Sequence, residues 1–160
     1  MGKTTIIKQA IDVIKRKAGG FYTREIRQRG VRQGFEIVTL DGASAILAHL
    51  NIDSPYRVGK YGIDIKNLDT VGVSALRRAM QECEIVVIDE IGKMELFSKA
   101  FREAVLEVLN SRKKVLGTIM LPPHPWADQI KKDPRVTLLQ VSRANRQQML
   151  EEVTIWLEDK

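Results

Sequence analysis

At 160 residues, with 44% hydrophobic and 29% charged side chains, the chain has the make-up of one soluble globular domain, 1–160, able to bury roughly two-thirds of its unfolded surface. Its net charge of +6 suits polyanionic partners, either nucleic acid or nucleotide phosphate. The short apolar run Ile85–Ile88 is the longest and excludes a membrane span, the lack of an apolar leader points to the cytoplasm, and one cysteine (Cys83) excludes an internal disulfide.

Apolar residues at Ile7, Ala10, Ile11 and Ile14 predict a helix from Thr4 to Lys17, stopped by Gly19 and Gly20. Two β-rich runs follow, Phe21–Ile26 and Gly34–Leu40, joined by a basic turn containing Gly30. Residues 43–60 read as loop or short strand, and Tyr61–Ile65 as a further strand. Leu68–Glu82 has helical spacing. Ile85–Ile88 is a β-branched run apolar at every position, as in a parallel strand buried on both faces. An amphipathic helix built on Leu96, Phe101, Val105 and Leu109 comes next, then a strand Val115–Leu121 ended by Pro122 and Pro123. A short helix Trp126–Lys132, a strand Val136–Val141 and a closing helix Arg143–Leu157 complete the order. Alternating strands and helices over 85–157 predict an α/β fold with a mostly parallel central sheet, into which the early β-hairpin is inserted.

Two motifs carry chemistry. "MGKTT" at residues 1–5 matches the end of a phosphate-binding loop, G-x-x-x-x-G-K-[ST]. In such a loop the amides cradle phosphate, the lysine reaches the β and γ oxygens, and the hydroxyl binds magnesium at a helix start. Gly2, Lys3, Thr4 and Thr5 are the matching residues. "IVVIDE" at residues 85–90 is a buried strand ending in adjacent acids. Asp89 at its carboxyl end would hold magnesium together with Thr4, and Glu90 would polarise an attacking water as general base. His49, His124 and Cys83 form no nucleophile–base set and read as packing residues.

The sequence also resembles a known family, the small nucleoside-triphosphatases of thermophiles that include the human cancer-related nucleoside-triphosphatase. The resemblance rests on "VVIDEIGKMELFSKAFREAV", "GGFYTREIRQRGVRQGFEIVTLDG", "SPYRVGKYGIDIKNL", "LGTI" and "VSRANRQQML", which together span nearly the whole chain. It implies a three-layer nucleoside-triphosphatase domain of the P-loop type that hydrolyses nucleoside 5′-triphosphates with Mg2+ and broad base tolerance, as a monomer. Lys3 and Glu90 take the catalytic places, and Thr4 and Asp89 the metal places. The implied nucleotide contacts are Gly2, Lys3, Thr4, Thr5, Val87, Ile88, Asp89, Glu90, Ile91, Gly92 and Lys93, with Asn145 and Arg146 beside the base. Asn145 equally suits a helix-capping role.

For a charge-stabilising arginine, Arg24, Arg27 and Arg57 lie in segments that could fold over the site, although Arg24 stands where the family usually carries an acid. The family loop places a variable residue before its last Gly-Lys-Thr, and Met1 fits that place. The expectation is therefore that a first, central strand and the first half of the loop are missing ahead of Met1. Two other readings stay open: a kinase using the same site with a small acceptor under the basic hairpin, and a nucleic-acid binder using the hairpin's arginines.

Overall fold

Ile7 and Ala10 give the first helix, α1 (Lys3–Val13), an apolar side that packs on a sheet face it shares with the last helix. In the computed structural model, which describes residues 2–159, seven strands form one sheet. They are β1 (Ala18–Gln28), β2 (Val31–Thr39), β3 (Ser44–His49), β4 (Arg57–Val58), β5 (Tyr61–Ile63), β6 (Ile85–Ile91) and β7 (Lys114–Ile119). Their spatial order is β4-β5-β3-β2-β1-β6-β7. Met1, read above as a loop residue, lies outside the described residues.

The α/β class stands, but the sheet is mixed rather than mostly parallel. Only β1/β6 and β6/β7 run parallel, and the remaining four pairs are antiparallel. Connection length explains the difference. Parallel neighbours need a crossover such as a helix, whereas antiparallel ones close through a tight turn. Arg29–Gly30 is such a turn: both residues have positive φ, 52° and 77°, the backbone of a two-residue hairpin. The β2–β3 link is almost as short, which makes strands of a region expected to be part loop.

Helices cover both faces. On one side, α3 (Ser74–Glu82) and α4 (Lys99–Asn110) pack on Phe21, Ile37, Val86 and Ile88, with Phe21 and Phe101 edge to face at 6.3 Å. A short α2 (Ile65–Asn67) and a π-helical turn (Leu68–Val73) lead into α3, so the predicted helix begins three residues early, capped by the Asp64 carboxylate. On the other side, α1 and α6 (Arg146–Glu158) cover Ile85 and Val87. Strand β6 thus alternates between two cores, which is why none of Ile85–Ile88 is polar. Ser98 caps α4 by accepting the Phe101 amide at 3.0 Å, and α5 (Pro125–Lys131) follows β7.

Two expectations fail. The first helix ends at Val13, not Lys17, and Gly19 and Gly20 lie inside β1 instead of stopping a helix. Gly20 has φ 109°, and a Cβ there would stand 2.1 Å from the Val87 carbonyl oxygen. The glycine is needed because β1 and β6 approach where no side chain fits. Gly20→Ala should cost about 3 kcal/mol or more, combining backbone strain with a clash against a central strand. Urea unfolding checks this, and an unchanged midpoint would contradict it.

The second failure is Val136–Val141, which forms no strand. Leu138 and Leu139 are 56% and 46% exposed, and the stretch pairs with no neighbour. Local β propensity cannot hold a strand whose amides and carbonyls lack a ladder partner.

Candidate active site

The carboxyl end of β6 meets the start of α1. Gly2 ends the approach to the helix with φ 84°, and its carbonyl accepts the first intrahelical bond, from Ile6 at 2.9 Å. The amides of Lys3, Thr4 and Thr5 precede that bond, so the helix offers donors and the positive end of its dipole to an anion.

Thr4 Oγ1 donates to Asp89 Oδ2 at 2.6 Å. From the other side, Thr118 Oγ1 on β7 donates to Asp89 Oδ1, also at 2.6 Å. Asp89 is only 2% exposed, and a carboxylate so buried requires such donors on both oxygens. Lys3 Nζ lies 3.4 Å from Glu90 Oε2, with both side chains partly open to solvent. The Asp89–Glu90 peptide is cis. Lys3, Thr4, Asp89 and Glu90, 85 to 87 residues apart in sequence, therefore form one contiguous cluster of an ammonium, a hydroxyl and two carboxylates.

Two members of this region went unrecognised in the sequence. Thr118 lies in the "LGTI" segment, to which no site role was attached; its signal is a hydroxyl at the end of the strand next to the acid-bearing one. Glu95 opens a 3-10 turn (Glu95–Phe97) and is 4% exposed. Burial raises its pKa to about 8, and the neighbouring Glu90 and Asp89 charges push the same way, while amide hydrogen bonds from Glu95 itself and Gly92 oppose them.

A raised carboxyl pKa has a defined sign for stability. Between the ordinary value of 4.5 and about 8 the unfolded chain gives up its proton while the folded one keeps it. The Glu95 contribution is complete below pH 4.5 and fades as pH rises through 8. Glu95→Gln should therefore raise Tm by several degrees at pH 8 and by little at pH 5. Thermal melts at the two values test this, and an equal gain at both would contradict it.

The other expected residues are distributed as follows. Val87 and Ile88 are 0% and 1% exposed, one in each core. They set the strand's depth, and their side chains lie in the two cores. Ile91 is likewise buried. Gly92 sits against the Glu90 and Glu95 carboxylates, while Thr5 and Lys93 are exposed. Asn145 does not cap α6 through its side chain. Its Oδ1 accepts the Ser142 amide at 2.7 Å and its Nδ2 donates to the Gln140 carbonyl at 2.8 Å, bracing the loop before that helix. Arg146 is exposed and lies over Gly2, its Nε 3.4 Å from where a Cβ would be.

The arginines in segments that could fold over the site are engaged elsewhere. Arg24 pairs with Glu36 and Arg27 with Glu25. Arg57 donates to the Ile52 and Lys60 carbonyls at 3.2 and 3.0 Å. Arg32 bonds Tyr61 and Glu25, so acids within the hairpin offset much of the charge that nucleic-acid binding would use. His49 and His124 accept backbone amides through Nδ1, as packing residues do. No helix among the described residues is long and apolar enough to cross a membrane.

Comparison with known proteins identifies the family and agrees with the fold. The family model described as NTPase matches residues 1–154. The Nucleoside-triphosphatase THEP1 of Thermotoga sp. (strain RQ2) is 46% identical over 153 residues, covering 96% of this chain and 87% of the relative. The human Cancer-related nucleoside-triphosphatase is 36% identical over 171 residues, covering 96% and 89%. Among solved structures, THEP1 from Aquifex aeolicus superposes with a TM-score of 0.89 at 33% identity, over 99% of this chain and 94% of that one. The human nucleoside triphosphatase solution structure gives 0.84 at 36% identity, over 99% and 92%.

Proposed function

The chain belongs to the NTPase family, and from that premise we propose that it hydrolyses nucleoside 5′-triphosphates to diphosphate and inorganic phosphate where α1 meets β6. The observation that carries this reading is the pairing of the Gly-Lys-Thr helix start with the strand-end acids: Thr4 on Asp89 at 2.6 Å and Lys3 on Glu90 at 3.4 Å.

The donor set fits magnesium. Thr4 Oγ1 and the Asp89 carboxylate are hard oxygen donors in mutual contact. Among the described residues no cluster of three or more His, Cys, Asp or Glu offers an all-protein cage. Such a pair suits a cation that completes its shell with water and phosphate oxygens. Bound there, magnesium would neutralise charge on the β and γ phosphates. Thr118 holds Asp89 from behind and fixes its orientation.

The chain's own groups do the rest. The free amides at the start of α1 and the Lys3 ammonium bind and orient the phosphates. Glu90 accepts a proton from the water that attacks the γ-phosphorus in line. One P–O bond forms as the β–γ bridging bond breaks, and the diphosphate leaves with its electron pair. The protein works as a single domain and a monomer in the cytoplasm, with little base preference.

Phosphate release from ATP, GTP, CTP and UTP tests the reading. All four should yield phosphate with magnesium present and none with chelator. Turnover that persists unchanged in chelator would remove the metal from the account.

A further inference from the structure

Glu95 is a buried acid to which the hydrolytic reading gives no task. It stands beside Gly92, and so does Glu90. A Cβ on Gly92 would lie 2.9 Å from Glu90 Oε1 and 3.0 Å from Glu95 Oε1, so those two oxygens are within about 6 Å of each other, with the glycine between them. The Glu90 contact is closer than a carbon and a carboxylate oxygen tolerate, and the Glu95 contact is at the tight limit, so a side chain there makes these carboxylates give way. Gly92 itself is buried and so is Ile91, so the backbone there has little room to retreat.

The turn is also tied internally. The Leu96 amide donates to the Gly92 carbonyl at 3.0 Å, and Glu95 Oε1 lies against the same glycine. Burial, the largest cause of its raised pKa, favours the neutral carboxyl there.

We propose that Glu95 and Gly92 are positioning residues for the Glu90 base: the buried Glu95 carboxyl packs against Gly92 and braces the 91–96 turn, and the bare Gly92 leaves the slot occupied by the Glu90 carboxylate. Neither residue touches the phosphates. Both act through Glu90, so the inference rests on the hydrolytic reading above. A side chain at position 92 displaces the Glu90 carboxylate, and a displacement of about 1 Å in a catalytic group can cost on the order of 100-fold in rate. Binding through Lys3, Thr4 and the α1 amides is left intact.

Steady-state kinetics of Gly92→Ala, Glu95→Asp and Glu95→Gln, each also made in the Glu90→Gln background, test the proposal. Gly92→Ala should lower kcat by roughly 10- to 100-fold with KM within about threefold of the parent. Glu95→Asp shortens the side chain, draws its carboxyl away from Gly92, and should lower kcat in the same way. Glu95→Gln keeps the length and an acceptor oxygen, and should recover most of the turnover lost in Glu95→Asp. In the Glu90→Gln background Gly92→Ala should add little further loss, because groups that act through one another are not additive.

Parental kcat in both Gly92→Ala and Glu95→Asp would overturn the proposal. So would a loss as large in the Glu90→Gln background as in the parent, which marks general damage to the fold. Should Gly92→Ala fail to fold, the Glu95→Asp and Glu95→Gln pair decides alone. A parental rate in Glu90→Gln by itself would instead sink the hydrolytic assignment of Glu90, so the two failures are distinguishable.

Discussion

Glu90→Gln should keep its nucleotide and lose turnover, with kcat down by about 10²- to 10⁴-fold and the dissociation constant for magnesium–ATP within about threefold of the parent. The substitution preserves the length of a side chain that is partly exposed and pairs with Lys3 at 3.4 Å. Glutamine still offers Lys3 an oxygen, so the cluster stays assembled, but an amide does not take a proton from water. The two measurements therefore separate. A titration with nucleotide reads the phosphate-binding half of the site, which Glu90 does not supply, and single-turnover hydrolysis reads the half that it does. A parental rate would show that Glu90 is not the base.

Asp89→Asn should be as damaging through a different route. The Asp89 carboxylate is buried between two hydroxyl donors, Thr4 and Thr118, each at 2.6 Å. Replacing one oxygen by NH2 points a donor at a hydroxyl that can turn and accept, so the fold should survive. What is lost is a negative charge and an oxygen ligand beside Thr4. Polarising a phosphoryl oxygen with a metal is worth several kcal/mol, and kcat/KM should fall by about 10³-fold. The magnesium concentration for half-maximal rate should rise as well. A magnesium titration that superposes on the parent curve would place the metal elsewhere.

Much of this site was legible because its signals are local. Gly2-Lys3-Thr4 before a helical pattern, and four β-branched or apolar residues ending in Asp89-Glu90, are patterns whose chemistry follows from neighbours in sequence. Thr118 was not legible, because a threonine in a strand acquires meaning only from register: Ile88 opposite Gly117 sets Thr118 beside Asp89. Glu95 was hidden for a similar reason. An acid near a helix start reads as solvated until the fold buries it. Gly19-Gly20 misled in the opposite direction. Paired glycines usually end helices, yet Gly20 is required by the approach of β1 to β6 across a distance no side chain permits. Val136–Val141 has strand composition without a strand to pair with, so tertiary context overrode propensity. The mixed sheet followed from turn lengths in the 18–63 region, where antiparallel hairpins outnumber the crossovers that the later helices imposed.

In the proposed reaction water, activated at Glu90, attacks the γ-phosphorus of a triphosphate held by Lys3, Thr4 and Asp89. Hydrolysis of GTP in 18O-labelled water, with mass analysis of both products, tests this attack. One labelled oxygen is expected in inorganic phosphate and none in the diphosphate. Label in the diphosphate, or phosphate delivered to an added nucleoside acceptor with no labelled inorganic phosphate, would contradict it.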